Sequence, residues 1–455
     1  MSKWNLVRLS EVLNYEQPTK YIVETTNYND KHKTPVLTAG KTFLLGHTNE
    51  KTGIFPKEKL PIIIFDDFTT VSKLVDFQFK VKSSAMKMLH PKNKDVDIKY
   101  VFYAIKNIPF SPEEHKRFWI SKYSKFRIPL PPLPEQQKIA SFLTRIEALI
   151  QKREESIQLL DELIKSTFLD MFGDPVLNPK GWSVNILDQF GDIITGNTPP
   201  RANEENYSSN YIEWIKTDNI VEGELFPTKA KEYLSEVGLN RGRSVQEGAI
   251  IVACIAGSIK SIGGISLINR TVAFNQQINA IQPYVDVNSK FLYYLLNNSK
   301  SYIQHQAGKG MKKIITKSVF KNISFPLPPK PLQDKFASIV TKIEATKEKY
   351  QTSLEELNNL FNSTAQKAFK GELNLGKITI IEKAISKEEA QMLDEDRILE
   401  LIKSGSFEAK DHVNEQQSYD DIRDKVLKLM DEGKITQIFT ADKKNEGNMV
   451  LEAVN

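Results

Sequence analysis

The chain has 455 residues, 40% of them hydrophobic, enough for two or three compact cores. Its longest apolar stretch, around Ala249 to Gly257, is far too short to cross a bilayer, and its one cysteine, Cys254, excludes disulfide frameworks and cysteine-rich zinc sites. The net charge of +5 is unevenly spread: residues 376–455 hold 12 basic and 18 acidic residues, a net of −6, leaving +11 on the rest, a balance that suits a polyanion partner.

The chain opens on MSKWNLVRLSEV, which lacks a hydrophobic core followed by a cleavage site, so a cytoplasmic protein is expected. Residues 1–128 contain the strand-like runs TPVLTAG, LPIIIFDD and VDFQFKVK, then the helix-like DIKYVFYAIKNI, a mixed α/β pattern. PVLTAGKT ends like a phosphate-binding loop, but Pro35 stands where the first glycine belongs and removes the backbone freedom that loop needs. Asp66 and Asp67 have no third metal ligand in view and read as a polar strand end. The six histidines show neither metal-ligand spacing nor a neighbouring nucleophile. The remaining chemistry is that of interaction. Thr38, Lys41, Thr42, His47, Thr48, Asn49 and Lys51 cluster in sequence, and Thr69, Thr70 and Lys73 follow the second strand; such donors suit bases and phosphates.

From residue 129 a long helix is expected, with prolines that cannot continue it backwards and Glu135 in its first turn. Ile139, Leu143, Ile146, Ile150, Ile157, Leu160, Ile164 and Met171 fall on alternating three- and four-residue steps, interrupted at Arg153 and Thr167. That 3.5-residue period predicts a coiled coil.

Residues 182–325 repeat the earlier layout, with YIEWIKT, EGAIIVACIAG, GGISLI and QINAIQP as strands and NSKFLYYLLNN as a helix. Cys254, within the second of these, is expected to be a small buried residue. NTPP at 197–200 imitates the base-binding turn of adenine methyltransferases, but its prolines are displaced, Arg201 stands where an aromatic would stack, and no glycine-rich methyl-donor loop accompanies it. Candidate DNA contacts here are Asn197, Arg201, Lys216, Asn219, Ser258, Lys260, Gln276, Lys309, Lys312 and Lys313.

Sliding the chain on itself by about 197 positions aligns 129–172 with 326–369 and matches roughly 20 of about 44 residues without a gap. The second copy carries the same apolar seam in Phe336, Val340, Ile343, Tyr350, Leu354, Leu357, Phe361 and Ala368, interrupted at Lys347 and Thr364. Two matched helices in one chain favour pairing with each other. About 40 residues would make a rod of roughly 60 Å, a spacer between two domains. The expected architecture is two α/β domains (1–128 and 174–325), an antiparallel coiled coil (129–173 with 326–373) and an acidic, mostly helical extension (374–455), in which EEAQMLDEDRILELIKSG and SYDDIRDKVLKLMDEGKITQIF read as amphipathic helices ending in a strand.

The duplicated PLPPLPEQQKIASFLTRIE and PLPPKPLQDKFASIVTKIE, with PVLTAGKTFLLGHTNEKTGIF, GNTPPRANEENY, WIKTDN and VAFNQQINAIQP in support, resemble the specificity subunit of type I restriction-modification systems across nearly all of residues 1–373. The resemblance implies that the variable blocks are target recognition domains, each reading one half of a split double-stranded DNA sequence, and that the chain is not itself an enzyme. It implies two modification subunits, which methylate adenine with S-adenosylmethionine, and restriction subunits that use ATP and Mg, with no cofactor held by this chain and no membrane. The second helix opens LQDK where the first has EQQK, so the two partner contacts are expected to differ in strength. A two-module scaffold for protein or carbohydrate is the alternative, distinguished by the absence of salt-sensitive DNA affinity.

Overall fold

The computed structural model describes residues 4–38, 42–110, 116–256, 259–308, 313–373, 376, 425, 428, 429, 434–441 and 447–453. They form two compact units, Met1–Ala148 with Asn359–Asn455, and Leu149–Asn358. One continuous helix, here the central helix, runs Leu133–Phe172, and a second, the distal helix, runs Lys330–Lys370.

In the first unit, strands Asn5–Arg8 and Arg127–Leu130 pair antiparallel, so the two ends of the variable block are tied together. A four-stranded antiparallel sheet has the order Leu13–Glu16, Met86–Pro91, Ile62–Asp66, Ser72–Val75. A smaller sheet orders Leu44–Thr48, Thr34–Leu37 and Lys80–Val81, with the last pair parallel. The helix Ile98–Lys106 begins at Asp97, whose carboxylate accepts from the Tyr100 N–H at 2.8 Å.

The second unit repeats this plan. Val184–Ile186 pairs with Ser324–Pro326 to close the block. The antiparallel sheet orders Gly191–Thr195, Ile278–Pro283, Ile250–Ala253, Ile265–Leu267. Its companion orders Tyr233–Leu234, Ile212–Ile215, Val272–Phe274, Ser244–Val245, with the middle pair parallel. The helix Ser289–Asn298 is capped by Asn288. The two four-stranded antiparallel sheets therefore share one strand order, as the shared layout of the two sequences predicts, while the companion sheet gains a fourth strand, Ser244–Val245, in the second unit, and loops and side chains differ.

The PLPP segments divide between two elements. Pro129 and Leu130 finish a strand, and the helix starts only at Leu133; likewise Pro326 ends a strand and the distal helix starts at Lys330. Each segment also builds a joint between its long helix and the short helix of the block. Gln136, 1% exposed, accepts from the Asp97 N–H at 2.9 Å and donates to the carbonyls of Pro131 (2.8 Å) and Asp95 (2.9 Å). Gln333, equally buried, accepts from Asn288 N–H and donates to Pro328 O, both at 2.8 Å. Tyr103 donates to Glu147 and Tyr294 to Glu344, each at 2.9 Å. The matched glutamines of the two repeats thus do the same work: they complete backbone hydrogen bonds that burial would otherwise leave unmade.

Of the seam residues, Ile139, Leu143, Ile146, Ile164, Phe336, Val340 and Ile343 are buried, where the blocks cover the helices. Ile150, Ile157, Leu160, Tyr350, Leu354, Leu357 and Phe361 are half-buried. In the first unit Ile139 and Leu143 share a core with Ala365 and Ala368. In the second, Phe168 meets Phe336 with ring centroids 5.5 Å apart. Two interruptions of the seam have partners: the Arg153 guanidinium lies 4.1 Å from the Tyr350 ring, and Lys347 Nζ sits 2.6 Å from Asp161. Along this unit Arg153, Asp161 and Phe168 meet Tyr350, Lys347 and Phe336 in falling order, so the helices run antiparallel there.

In the described part of the acidic extension, Ile435–Ala441 and Gly447–Ala453 form a two-stranded antiparallel ladder. The stretches read as amphipathic helices lie almost wholly outside the described residues. Among the described residues no helix is long and apolar enough to cross a membrane.

Candidate nucleic-acid interface

In the first block the candidate residues fall on a hairpin and a turn. Thr42, Asn49 and Lys51 are exposed around the strand Leu44–Thr48, and His47 is half-buried on it. Thr48 is buried, its hydroxyl accepting from the Glu50 N–H. The loop that presents Asn49 and Lys51 is organised by Lys80, a residue the sequence reading did not single out. Its side chain is 3% exposed, and its ammonium meets Glu50 at 2.6 Å and donates to Thr52 O at 2.8 Å. Gly53 lies in the left-handed region at φ +63°, and a Cβ there would sit 2.8 Å from Lys20 O, so glycine is required.

Lys73 is exposed and stands 6.0 Å over the Phe43 ring, which brings turn and hairpin side by side. Thr69 donates to Asp66 at 2.5 Å, and Thr70, buried with φ +62°, belongs to the framework of the turn rather than to a surface. The Asp66–Asp67 pair is also structural. Asp66 accepts from the Phe68 N–H, and Asp67 accepts from the Trp119 N–H at 2.7 Å and faces buried Lys87 at 3.4 Å. No group of three metal-ligating side chains occurs among the described residues. Lys41 lies outside them.

In the second block the GNTPPRANEENY and WIKTDN segments fold against each other. Tyr207 donates to Pro199 O at 2.7 Å and Asn206 to Pro200 O at 2.9 Å, so both proline carbonyls are engaged within the motif. Arg201 and Lys216 converge on one carboxylate, Glu232, Arg201 at 2.6 Å, and both stand over the Trp214 ring. The hydrogen bond from Lys216, reinforced by Arg201, holds the Glu232 carboxyl below its usual range. Asn219 is buried: it accepts from the Lys216 N–H at 3.0 Å and donates to Thr228 and Lys229 at 3.2 Å, which makes it a fastening of the turn and corrects its reading as a surface contact. Asn197 donates to Arg241 O at 2.6 Å, while Gln276 and Lys260 are exposed. Ser258, Lys309 and Lys312 lie outside the described residues, as does the side chain of Lys313, whose backbone pairs with Ala256. Cys254 is buried as expected, and burial pushes its thiol up to about 12.

Each block therefore presents exposed polar and cationic side chains on loops held by buried polar residues. The family model of the type I restriction modification DNA specificity domain matches residues 1–160 and 179–359. The chain belongs to that family. It is 32% identical over 349 residues, covering 74% of this chain and 85% of the relative, to the specificity subunit of the type I restriction enzyme EcoR124I/EcoR124II of Escherichia coli. It is 25% identical over 397 residues to the MjaVIII specificity subunit of Methanocaldococcus jannaschii, covering 78% of this chain and 91% of that one. Among solved structures, the S subunit of the type I restriction-modification system of M. genitalium shares the fold with a TM-score of 0.56 at 15% identity, covering 81% of this chain and 96% of the other.

Within this specificity family, the duplicated frame acquires a use. Buried pins such as Lys80, Asn206 and Asn219 hold the loops, while the exposed residues between them are free to differ from block to block.

Proposed function

We propose that this specificity-family chain is a noncatalytic DNA-recognition subunit whose blocks, 1–128 and 174–325, each read one half of a split double-stranded target. In this reading two modification subunits dock on the chain and methylate adenine with S-adenosylmethionine, and restriction subunits supply ATP- and Mg-dependent translocation and cleavage. The paired helices, 129–173 and 326–373, act as the spacer that sets the gap between half-sites. One observation carries the proposal: two blocks whose four-stranded sheets share one strand order but whose exposed loop residues differ, in a chain that matches the specificity family over both. Duplicated frames with different surfaces suit the reading of two different sequences by one molecule.

Single-molecule sequencing of DNA from cells carrying the chain and its modification subunit tests this directly, and a split methylated-adenine motif is the expected result. Replacing residues 1–128 with a homologous block should change one half of the motif and leave the other intact; changes in both halves overturn independent reading. Methyl transfer by the purified chain alone, with radiolabelled S-adenosylmethionine and DNA, would overturn the noncatalytic assignment. DNA affinity that does not fall with rising salt would favour a protein or carbohydrate scaffold instead.

A further inference from the structure

Gln276 occupies the tip of the tight connection between strands Val272–Phe274 and Ile278–Pro283. Its neighbours are locked. Asn275 is 6% exposed; its N–H donates to Ile215 O at 3.0 Å, and its amide exchanges hydrogen bonds with Gln277 at 3.0 and 3.1 Å. The Gln277 carbonyl accepts from the Cys254 and Ile255 N–H groups. The backbone at the tip is thus held from both sides while the Gln276 side chain is exposed.

A second loop closes against it. Gly196 N–H donates to Ile278 O and Asn197 N–H to Phe274 O. A Cβ at Gly196 would lie 2.1 Å from Asn275 O, so only glycine permits this approach. Thr198, next in the loop, donates to the Gln276 amide oxygen, and the amide nitrogen has no partner among the described residues. A third segment completes the surface: Arg243 Nη1 donates to Thr195 O at 2.7 Å, and the Arg241 carbonyl accepts from Asn197. Arg241 and Arg243 are exposed and, unlike Arg201 and Lys216, have no carboxylate partner among the described residues.

We propose that Gln276 is the base-reading side chain of the second block and that Arg241 and Arg243 anchor the flanking phosphates. This rests on the DNA-recognition reading given above and adds residues and roles to it. A carboxamide offers an acceptor and a donor side by side, the complement of adenine N6 and N7 in the major groove. The Thr198 hydroxyl holds one end of that amide, so less side-chain freedom is lost on binding. Guanidinium groups without an internal carboxylate are suited to phosphate oxygens, which position the protein without carrying sequence information.

The test uses the complex of this chain with its modification subunits, read by single-molecule sequencing of cellular DNA and by binding to a duplex bearing the wild-type motif. Gln276→Ala should relax one base position in one half-site and leave the other half unchanged. Gln276→Glu, of the same shape, should shift preference at that position towards cytosine, whose N4 donates. Arg241→Ala with Arg243→Ala should keep the motif, weaken binding about tenfold or more and reduce the salt slope by roughly two. Thermal melting of each variant separates these effects from misfolding, and the isosteric Gln276→Glu remains informative if the alanine variant melts early. A wild-type motif in both Gln276 variants, or a loss of methylation equal at all sequences with normal melting, overturns the assignment. A wild-type complex that methylates no split motif would instead overturn the DNA reading itself, and this assignment with it.

Discussion

The two joints that dock a short helix onto a long one share two glutamine hydrogen bonds, differ by a third, and have different apolar filling. At the first, Gln136 bridges Asp97, Asp95 and Pro131, and the packing combines Ile139, Ala365 and Ala368 with Tyr100 and Phe369. At the second, Gln333 bridges only Asn288 and Pro328, and the core is an aromatic cluster in which Phe172 meets Phe291 at 4.9 Å and Phe168 meets Phe336 at 5.5 Å. Small residues in one joint stand where large ones stand in the other. The difference teaches that the directional bonds set how the helices meet. Apolar volume can be redistributed so long as the space is filled.

The comparison breaks most severely where the larger residue is removed. Phe336→Ala should destabilise the second unit by about 4 kcal/mol and Ile139→Ala the first by about 3, because the cost grows with the cavity left behind. Urea unfolding midpoints check both. Gln136→Leu should cost about 3 kcal/mol and Gln333→Leu about 2, since the first leaves three backbone groups without their partner and the second leaves two. Equal losses would mean that the Asp95 bond contributes nothing.

The blocks differ in their ion pairs too, and pH sharpens that contrast. In the second block Arg270 grips Glu213 with two hydrogen bonds, at 2.8 and 2.9 Å, and holds its carboxyl below the usual range. A depressed carboxyl pKa stabilises the fold above the unfolded-state value, and that stabilisation is lost as pH falls through the lower folded value. Arg270→Met should therefore cost about 1–2 kcal/mol at neutral pH, with the gap to wild type closing below about pH 4. A gap that stays constant down to pH 3 would assign the loss to packing. The smallest effect is expected between the helices. Lys347→Met should cost about 1 kcal/mol, because Asp161 remains half in water once its partner is gone. Thermal melting at two salt concentrations resolves it, with the difference shrinking as salt rises.

Much of the frame was legible in the sequence because it is written in local patterns. The 3.5-residue seam, the prolines before each helix and the offset repeat of about 197 positions specify two long helices. Runs of β-branched residues specify most of the sheet, including Ile62–Asp66 and Ile250–Ala253. The candidate interface was legible in part. Asn49, Lys51, Lys73 and Gln276 are exposed, whereas Thr70 and Asn219 are buried. A polar side chain that braces a turn has the same letter as one that faces solvent, and only its surroundings distinguish them.

By itself, then, the sequence determined the two long helices and most of the strands, that the chain is built twice over, and that two sets of polar residues lie on its connecting loops. Only the tertiary structure decided which polar groups stay available. Lys80 is buried against Glu50, and Arg201 and Lys216 are held by Glu232. Arg241 and Arg243 are fastened to Asn197 and Thr195, on the loop whose Thr198 bonds Gln276. The physical reason is sequence distance. Helix and strand preference act within a few residues and leave a periodic trace, but a charge is neutralised or left exposed by a partner tens of residues away, and no local pattern records that pairing.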